Sequence, residues 1–162
     1  MCRCVQPVSG RTLPSMEPRI LGPRDGERIG SGPASARVVA DAESTAGAFT
    51  LTETTIPPGF PGPPRHSHRE LTDAFYVLEG TLSVHVDGET RDVEPGSYVS
   101  IPPGNVHAFS NRSARPVRFL NINSPGGWER YLREIAEIMR DGMPNPDQWR
   151  AVMARHDFVP AD

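Results

Sequence analysis

Apolar positions recur along this chain with two different periods. Up to residue 122 the spacing is two, in short runs set apart by turn-forming residues. Residues 36–41 (ARVVAD) and 47–56 (GAFTLTETTI) read as strands, the second rich in threonine, which suits a pleated, half-buried surface. Residues 57–64 (PPGFPGPP) hold too much proline for a helix or a central strand and form a stiff connection. Short strands follow at 65–68 and 74–79. In 81–90 (TLSVHVDGET), Leu82, Val84 and Val86 alternate with Thr81, Ser83 and His85, and Asp87-Gly88 signals a hairpin turn. Residues 96–101, 106–110 and 116–122 complete the series. Closely spaced short strands of this kind predict an all-β sandwich or small barrel.

Beyond that series the period lengthens. Trp128, Tyr131, Leu132, Ile135, Ile138 and Met139 fall at steps of three and four, the mark of one helical face. A second helix begins after Asn145, with Pro146 at its first position and Gln148 three residues past the cap. Trp149, Val152 and Met153 make its apolar face, and both faces are expected to pack against the barrel. The division that results is a disordered extension at 1–16, a barrel with an N-terminal arm at 17–123, and a helical segment at 124–162.

Composition narrows the chemistry. The net charge of −3 offers no basic field for nucleic acid. No apolar run reaches the ~18 residues of a membrane span. The opening residues lack the apolar centre of a secretory signal, so a cytoplasmic protein is expected. All 17 basic residues are arginine, which excludes Schiff-base chemistry on lysine. The only cysteines, Cys2 and Cys4, lie in the N-terminal extension, so no cysteine nucleophile stands within the barrel.

The stretch HSHRELTDAFYVLEG, residues 66–80, carries the candidate site. Residues two apart on a strand share a face, so His66 and His68 project together. A turn over Arg69–Thr72 would let Asp73 open the next strand on the same side, with Glu70 as the alternative acid. Imidazoles with a carboxylate suit Fe, Mn, Co, Ni, Cu or Zn ions. Glu79, His85 and His156 read as ordinary surface or core residues.

From His66 the chain reads H-x-H-x4-D-x6-G, and from Gly96 it reads G-x5-P-x-G-x2-H-x3-N through Pro102, Gly104, His107 and Asn111. Together these resemble the two motifs of the cupin superfamily, and the helical segment opening GGWERYLREIAEI resembles small single-domain, quercetin-dioxygenase-like cupins. Phe60 stands where the first motif has its leading glycine, and Asp73 where it has glutamate. The resemblance implies a double-stranded β-helix (jelly-roll) barrel holding one divalent transition metal through His66, His68, Asp73 and His107. It also implies a homodimer, the commonest closed oligomer.

Strand parity places Phe75 and Val77 with Asp73, and Phe109 with His107, as lining for a substrate pocket. Arg65 and Arg69 flank the histidines and would steer an anionic substrate. Three functions follow from such a site. One is a dioxygenase acting on an aromatic or enolisable small molecule, with Asp73 as catalytic base. Another is a redox-neutral isomerase, cyclase, lyase or decarboxylase. The third is a non-catalytic small-molecule-binding protein.

Overall fold

In the computed structural model the alternating segments pair into two antiparallel sheets that face each other. Residues 17–30, 34–140 and 142–161 are described, so the extension at 1–16 with Cys2 and Cys4 lies outside them. In chain order the strands are β1 (Glu27–Ile29), β2 (Ser35–Ala40), β3 (Thr50–Ile56), β4 (His66–Ser67), β5 (Thr72–Glu79) and β6 (Leu82–Val86). They continue with β7 (Glu89–Val93), β8 (Tyr98–Ile101), β9 (His107–Ser110) and β10 (Val117–Ser124). Two helices, α1 (Trp128–Ile138) and α2 (Pro146–Arg155), precede a last short strand, β11 (Val159–Pro160).

One sheet has six strands in the order β1-β2-β3-β10-β5-β8, and the other five in the order β11-β4-β9-β6-β7. Between β3 and β10 the chain crosses back and forth between the layers, broken only by the β6-β7 hairpin, which is the jelly-roll arrangement expected for a cupin barrel. The Asp87-Gly88 turn joins β6 and β7 with both residues at positive φ (48° and 91°), matching the right-handed strand twist. Strand β3 starts at Thr50 rather than 47, because residues 42–47 form hydrogen-bonded turns. Part of the N-terminal arm pairs with β2 of its own chain as β1, a strand too short for periodicity to reveal.

The interior of the six-stranded sheet is graded in polarity. Thr50, Asn123, Asp73 and Ile101 lie in register across β3, β10, β5 and β8. The next row is Thr52, Asn121, Phe75 and Val99, and the next Thr54, Phe119 and Val77. One end of the sandwich is therefore polar. The other is filled by Ile56, Phe75, Val77, Leu82, Val84, Val117 and Phe119, the main hydrophobic core, which Ile101 extends toward Asp73.

The proline-rich connection is strapped to the core end. A Cβ on Gly62 (φ 87°) would lie 1.8 Å from the Phe109 carbonyl oxygen, so only glycine lets this loop run against β9. The buried Asn111 side chain donates to the Pro57 and Arg115 carbonyls at 2.8 and 2.7 Å. Its oxygen accepts from the Ser113 backbone and hydroxyl at 3.0 and 2.8 Å.

The helices build a second, smaller core with the barrel end. Trp128, Tyr131, Val152 and Phe158 pack with Leu71, and Leu132, Ile135, Ile138 and Met153 lie against them. Trp149 stays half-buried. The capping box forms as the sequence predicts: Asn145 accepts from Asp147 and Gln148 backbone N–H, and Gln148 accepts from the Asn145 backbone. Helix α1 has glycine at its cap. Thr50 Oγ1 accepts from Gly127 N–H at 2.9 Å and donates to the buried Glu129, tying the helix start to β3.

The Asn111 network makes a testable point about the fold. Asn111→Ala removes the hydrogen bonds of a buried side chain to the half-buried Pro57 carbonyl and to the Arg115 carbonyl, each worth about 0.5–1.5 kcal/mol. Denaturant unfolding is expected to show a loss of about 2 kcal/mol, and a variant within about 0.5 kcal/mol of wild type would refute this role.

Candidate metal centre

The polar end of the sandwich collects the candidate residues from both layers. His66 pairs in register with His107 across β4 and β9, and His68 follows one residue beyond β4. Their ring centroids are 4.4 Å apart for His66 and His107, 5.0 Å for His66 and His68, and 5.2 Å for His68 and His107. One ligand atom from each of the three lies within 4.8 Å of the others. Asp73 reaches in from β5 in the facing sheet. Its Oδ2 stands 3.2 Å from His107 Nε2 and 4.0 Å from His68 Nε2. All four residues are at most 4 % exposed.

The hydrogen bonds decide which ring nitrogens are free. His66 Nδ1 bonds the Pro64 carbonyl at 2.9 Å, His107 Nδ1 the Asn105 carbonyl at 3.1 Å, and His68 Nδ1 the Asp157 carbonyl. A carbonyl oxygen only accepts, so each Nδ1 carries a proton and each neutral ring presents a bare Nε2. His68 Nε2 is buried with no hydrogen-bond partner. The bare Nε2 of His107 faces the Asp73 carboxylate oxygen, lone pair to lone pair. A second proton on the ring or a cation between the two atoms relieves that repulsion. Buried imidazoles oriented through Nδ1, with Nε2 unsatisfied, fit a divalent transition ion.

Asp73 is held by its own strand partners. Its Oδ1 accepts from the side-chain amides of Asn121 and Asn123, the latter at 2.7 Å. Asn121 also donates to the Ala74 carbonyl at 3.1 Å, and Asn123 Oδ1 is left without a partner. The motif glycine Gly104, at φ 85°, donates its N–H to the His68 carbonyl at 2.8 Å and so steadies the histidine strand.

Burial is the largest influence on the imidazoles of His66 and His68. It pushes His66 down from 6.5 to about 4, assisted by His107 nearby, and it lowers His68 as well. Two aromatic rings close the outer side: Phe158 lies parallel to His66 at 4.1 Å, and Trp128 meets His68 edge-on at 4.9 Å. Outside them a surface pocket of about 220 Å³ is lined by Leu71, Trp128, Arg130, Arg155 and Asp157, among others.

The other candidates lie apart from this cluster. Phe75 and Val77 point inward with Asp73, but are packed core, with Phe109 partly buried against them. Glu70, Arg65 and Arg69 are exposed. Glu79 pairs with Arg118 on the surface, His85 with Thr90 and His156 with Glu134. Sequence reasoning missed Asn121, Asn123, Asp157 and Phe158. For the asparagines a signal existed, since they share parity with Val117 and Phe119 and are polar residues on an inward face.

Comparison with known proteins adds to this geometry. Residues 52–123 match the cupin domain family. The quercetin 2,3-dioxygenase of Bacillus subtilis is 27% identical over 120 residues, covering 74% of this chain and 35% of that protein. This chain therefore spans about a third of that relative's length. Among solved structures, the polyketide cyclase RemF of Streptomyces resistomycificus is 28% identical with a TM-score of 0.57, covering 67% of this chain and 80% of that one. A sugar phosphate isomerase from a cupin superfamily, from Silicibacter pomeroyi, is 26% identical with a TM-score of 0.57, over 65% of this chain and 75% of that one.

The buried histidines make metal-free protein acid-sensitive. An unfolded His66 takes up its proton near 6.5 and the folded one only near about 4, so between these values the unfolded state binds more protons. Stability therefore falls as pH drops from 6.5 toward about 4, by about 3 kcal/mol from this group, and levels off below. His68 contributes in the same direction. Denaturant unfolding of metal-free wild type and His66→Gln between pH 7.5 and 4 checks this. The variant is expected to lose less stability on acidification, and parallel curves would contradict the assignment.

Proposed function

The chain belongs to the cupin superfamily, and from that premise we propose that it is a mononuclear metal-dependent enzyme, a dioxygenase acting on a small aromatic or enolisable molecule. The observation that carries this reading is the convergence of three tautomer-fixed imidazoles beside a carboxylate that is itself held in place. Likeness to a quercetin 2,3-dioxygenase over 74% of this chain supports oxygen chemistry. His66, His68 and His107 hold the ion, and Asp73 is its fourth neighbour. Bound there, an Fe, Mn, Ni, Co, Cu or Zn ion would supply a Lewis acid and, if redox-active, a centre for dioxygen chemistry.

The chain's own residues perform the rest. Asp73 Oδ2 faces the ring nitrogens, where it takes the proton from a substrate hydroxyl placed against them. Asn121 and Asn123 keep the carboxylate from turning away. Burial excludes bulk water from this exchange. Phe75 and Val77 are packed core and Phe109 is partly buried against them, so they bound the site with apolar surface on its inner side. Arg65 and Arg69 at the rim draw in an anionic substrate. The assembly is a cytoplasmic homodimer joined through the outer face of the six-stranded sheet, where Tyr76 and Tyr98 pair across strands and stand exposed.

A redox-neutral reading draws on a different observation. A fixed carboxylate base beside a Lewis acid also serves proton transfer within a substrate, and the likeness to a cyclase and an isomerase favours it.

Oxygen uptake by metal-loaded protein with a flavonol separates these readings. Consumption of dioxygen with loss of the flavonol is expected, falling about 10²–10⁴-fold in Asp73→Asn while bound metal is kept. Turnover without oxygen uptake would replace the dioxygenase reading by the redox-neutral one. A fully active Asp73→Asn would remove the acid from the mechanism.

A further inference from the structure

The residues after α2 are built into the metal-binding strand. Past Arg155 the chain turns extended at His156 and runs alongside β4. Val159 pairs with Ser67 and Pro160 with His66, and Ala161 N–H donates to the Arg65 carbonyl at 2.9 Å. Without this partner β4 would be an edge strand with β9 as its sole neighbour. Asp157 contributes twice. Its backbone carbonyl accepts the His68 Nδ1 proton. Its carboxylate accepts from the backbone N–H groups of Arg69, Glu70 and Leu71 at 2.7, 2.9 and 3.0 Å. Phe158 then lays its ring parallel to His66. The segment is anchored behind by Glu134 of α1, which pairs with Arg155 and His156.

We infer that residues 157–161 complete the metal centre, with Asp157 the positioning residue that sets His68 as an Nε2 ligand. The inference rests on the reading of His66, His68 and His107 as ligands, and goes beyond it, because the cupin domain match ends at residue 123. His66 and His107 take their Nδ1 acceptors from residues two positions earlier in the chain. His68 takes its acceptor from 89 residues away. One imidazole of the three therefore owes its tautomer to the C-terminal strand. The three N–H groups gathered by the Asp157 carboxylate form a small anion cradle that fixes where its carbonyl stands. Asp157 is held below the usual carboxylate range: burial opposes ionisation, and the three N–H groups outweigh it.

The test uses full-length protein and two readouts. In metal-free wild type, ¹⁵N resonances of His68 are expected to show a proton on Nδ1. In Asp157→Ala this gives way to a mixture of tautomers, while His107, tied to Asn105, keeps its Nδ1 proton. Zinc affinity, measured by competition with a chromophoric chelator, is expected to fall about 10–100-fold in that variant, the usual cost of removing an outer support of a metal ligand. Asp157→Asn, which keeps one acceptor oxygen, is expected to restore part of it. If the alanine variant does not fold, the wild-type spectrum alone decides: a His68 protonated on Nε2 overturns the inference. Unchanged zinc affinity with an unchanged His68 spectrum in Asp157→Ala overturns it as well. A wild type that takes up no zinc would instead overturn the ligand reading, and this inference with it.

Discussion

Three hydrogen bonds that point away from the centre make the centre possible. Each joins the Nδ1 of a histidine to a backbone carbonyl, of Pro64, Asn105 or Asp157. A carbonyl cannot donate, so the bonds fix the tautomer as well as the ring direction. Without them three buried imidazoles would be free to satisfy one another as donors and acceptors. With them, three Nε2 atoms turn toward one another among buried residues, and burial resists protonation of His66 and His68. His68 Nε2, buried without a partner, is poorly satisfied by protein alone, so the donor set suits a cation better than a polar core.

The two sheets divide the labour. The histidines come from the five-stranded sheet, Asp73 and its asparagines from the six-stranded one. Their meeting depends on register, because a slip of one residue in β5 or β10 would turn Asp73, Asn121 and Asn123 to the outside and bring Ala74 and Ile122 in. The packed aromatic end, Phe75, Phe109 and Phe119, holds that register. Aspartate is one methylene shorter than the glutamate of the family motif. Two amide donors on the neighbouring strand hold one of its oxygens, and the other still comes within 3.2 Å of His107. Position is thus recovered by support from β10 rather than by side-chain length.

Much of this was legible in the sequence because it is local. Parity put His66 and His68 on one face, the Asp87-Gly88 pair marked its hairpin, and Asn145 with Gln148 announced a capping box. The resemblance of two short motifs to cupins then joined His107 to the first pair, a contact 41 positions away from His66 that no periodicity contains. What escaped was either too short or too distant. Strands β1 and β11 have three and two residues, below any detectable alternation. Asp157 reaches His68 through its backbone carbonyl and residues 69–71 through its carboxylate, contacts 86 to 89 positions away that no local pattern contains. The expectation that the helices cover a barrel wall missed their other role: Trp128 and Phe158 stand directly against the histidines, and the helical segment delivers the strand that borders them.

The central claim is that His66, His68 and His107 present their Nε2 atoms to one ion. X-ray absorption spectroscopy of the cobalt-loaded protein counts imidazole ligands directly through their outer-ring scattering. The account predicts three imidazoles in an oxygen- and nitrogen-only environment, falling to two in His107→Ala. One imidazole or none, or sulfur scattering from Cys2 and Cys4, would contradict it.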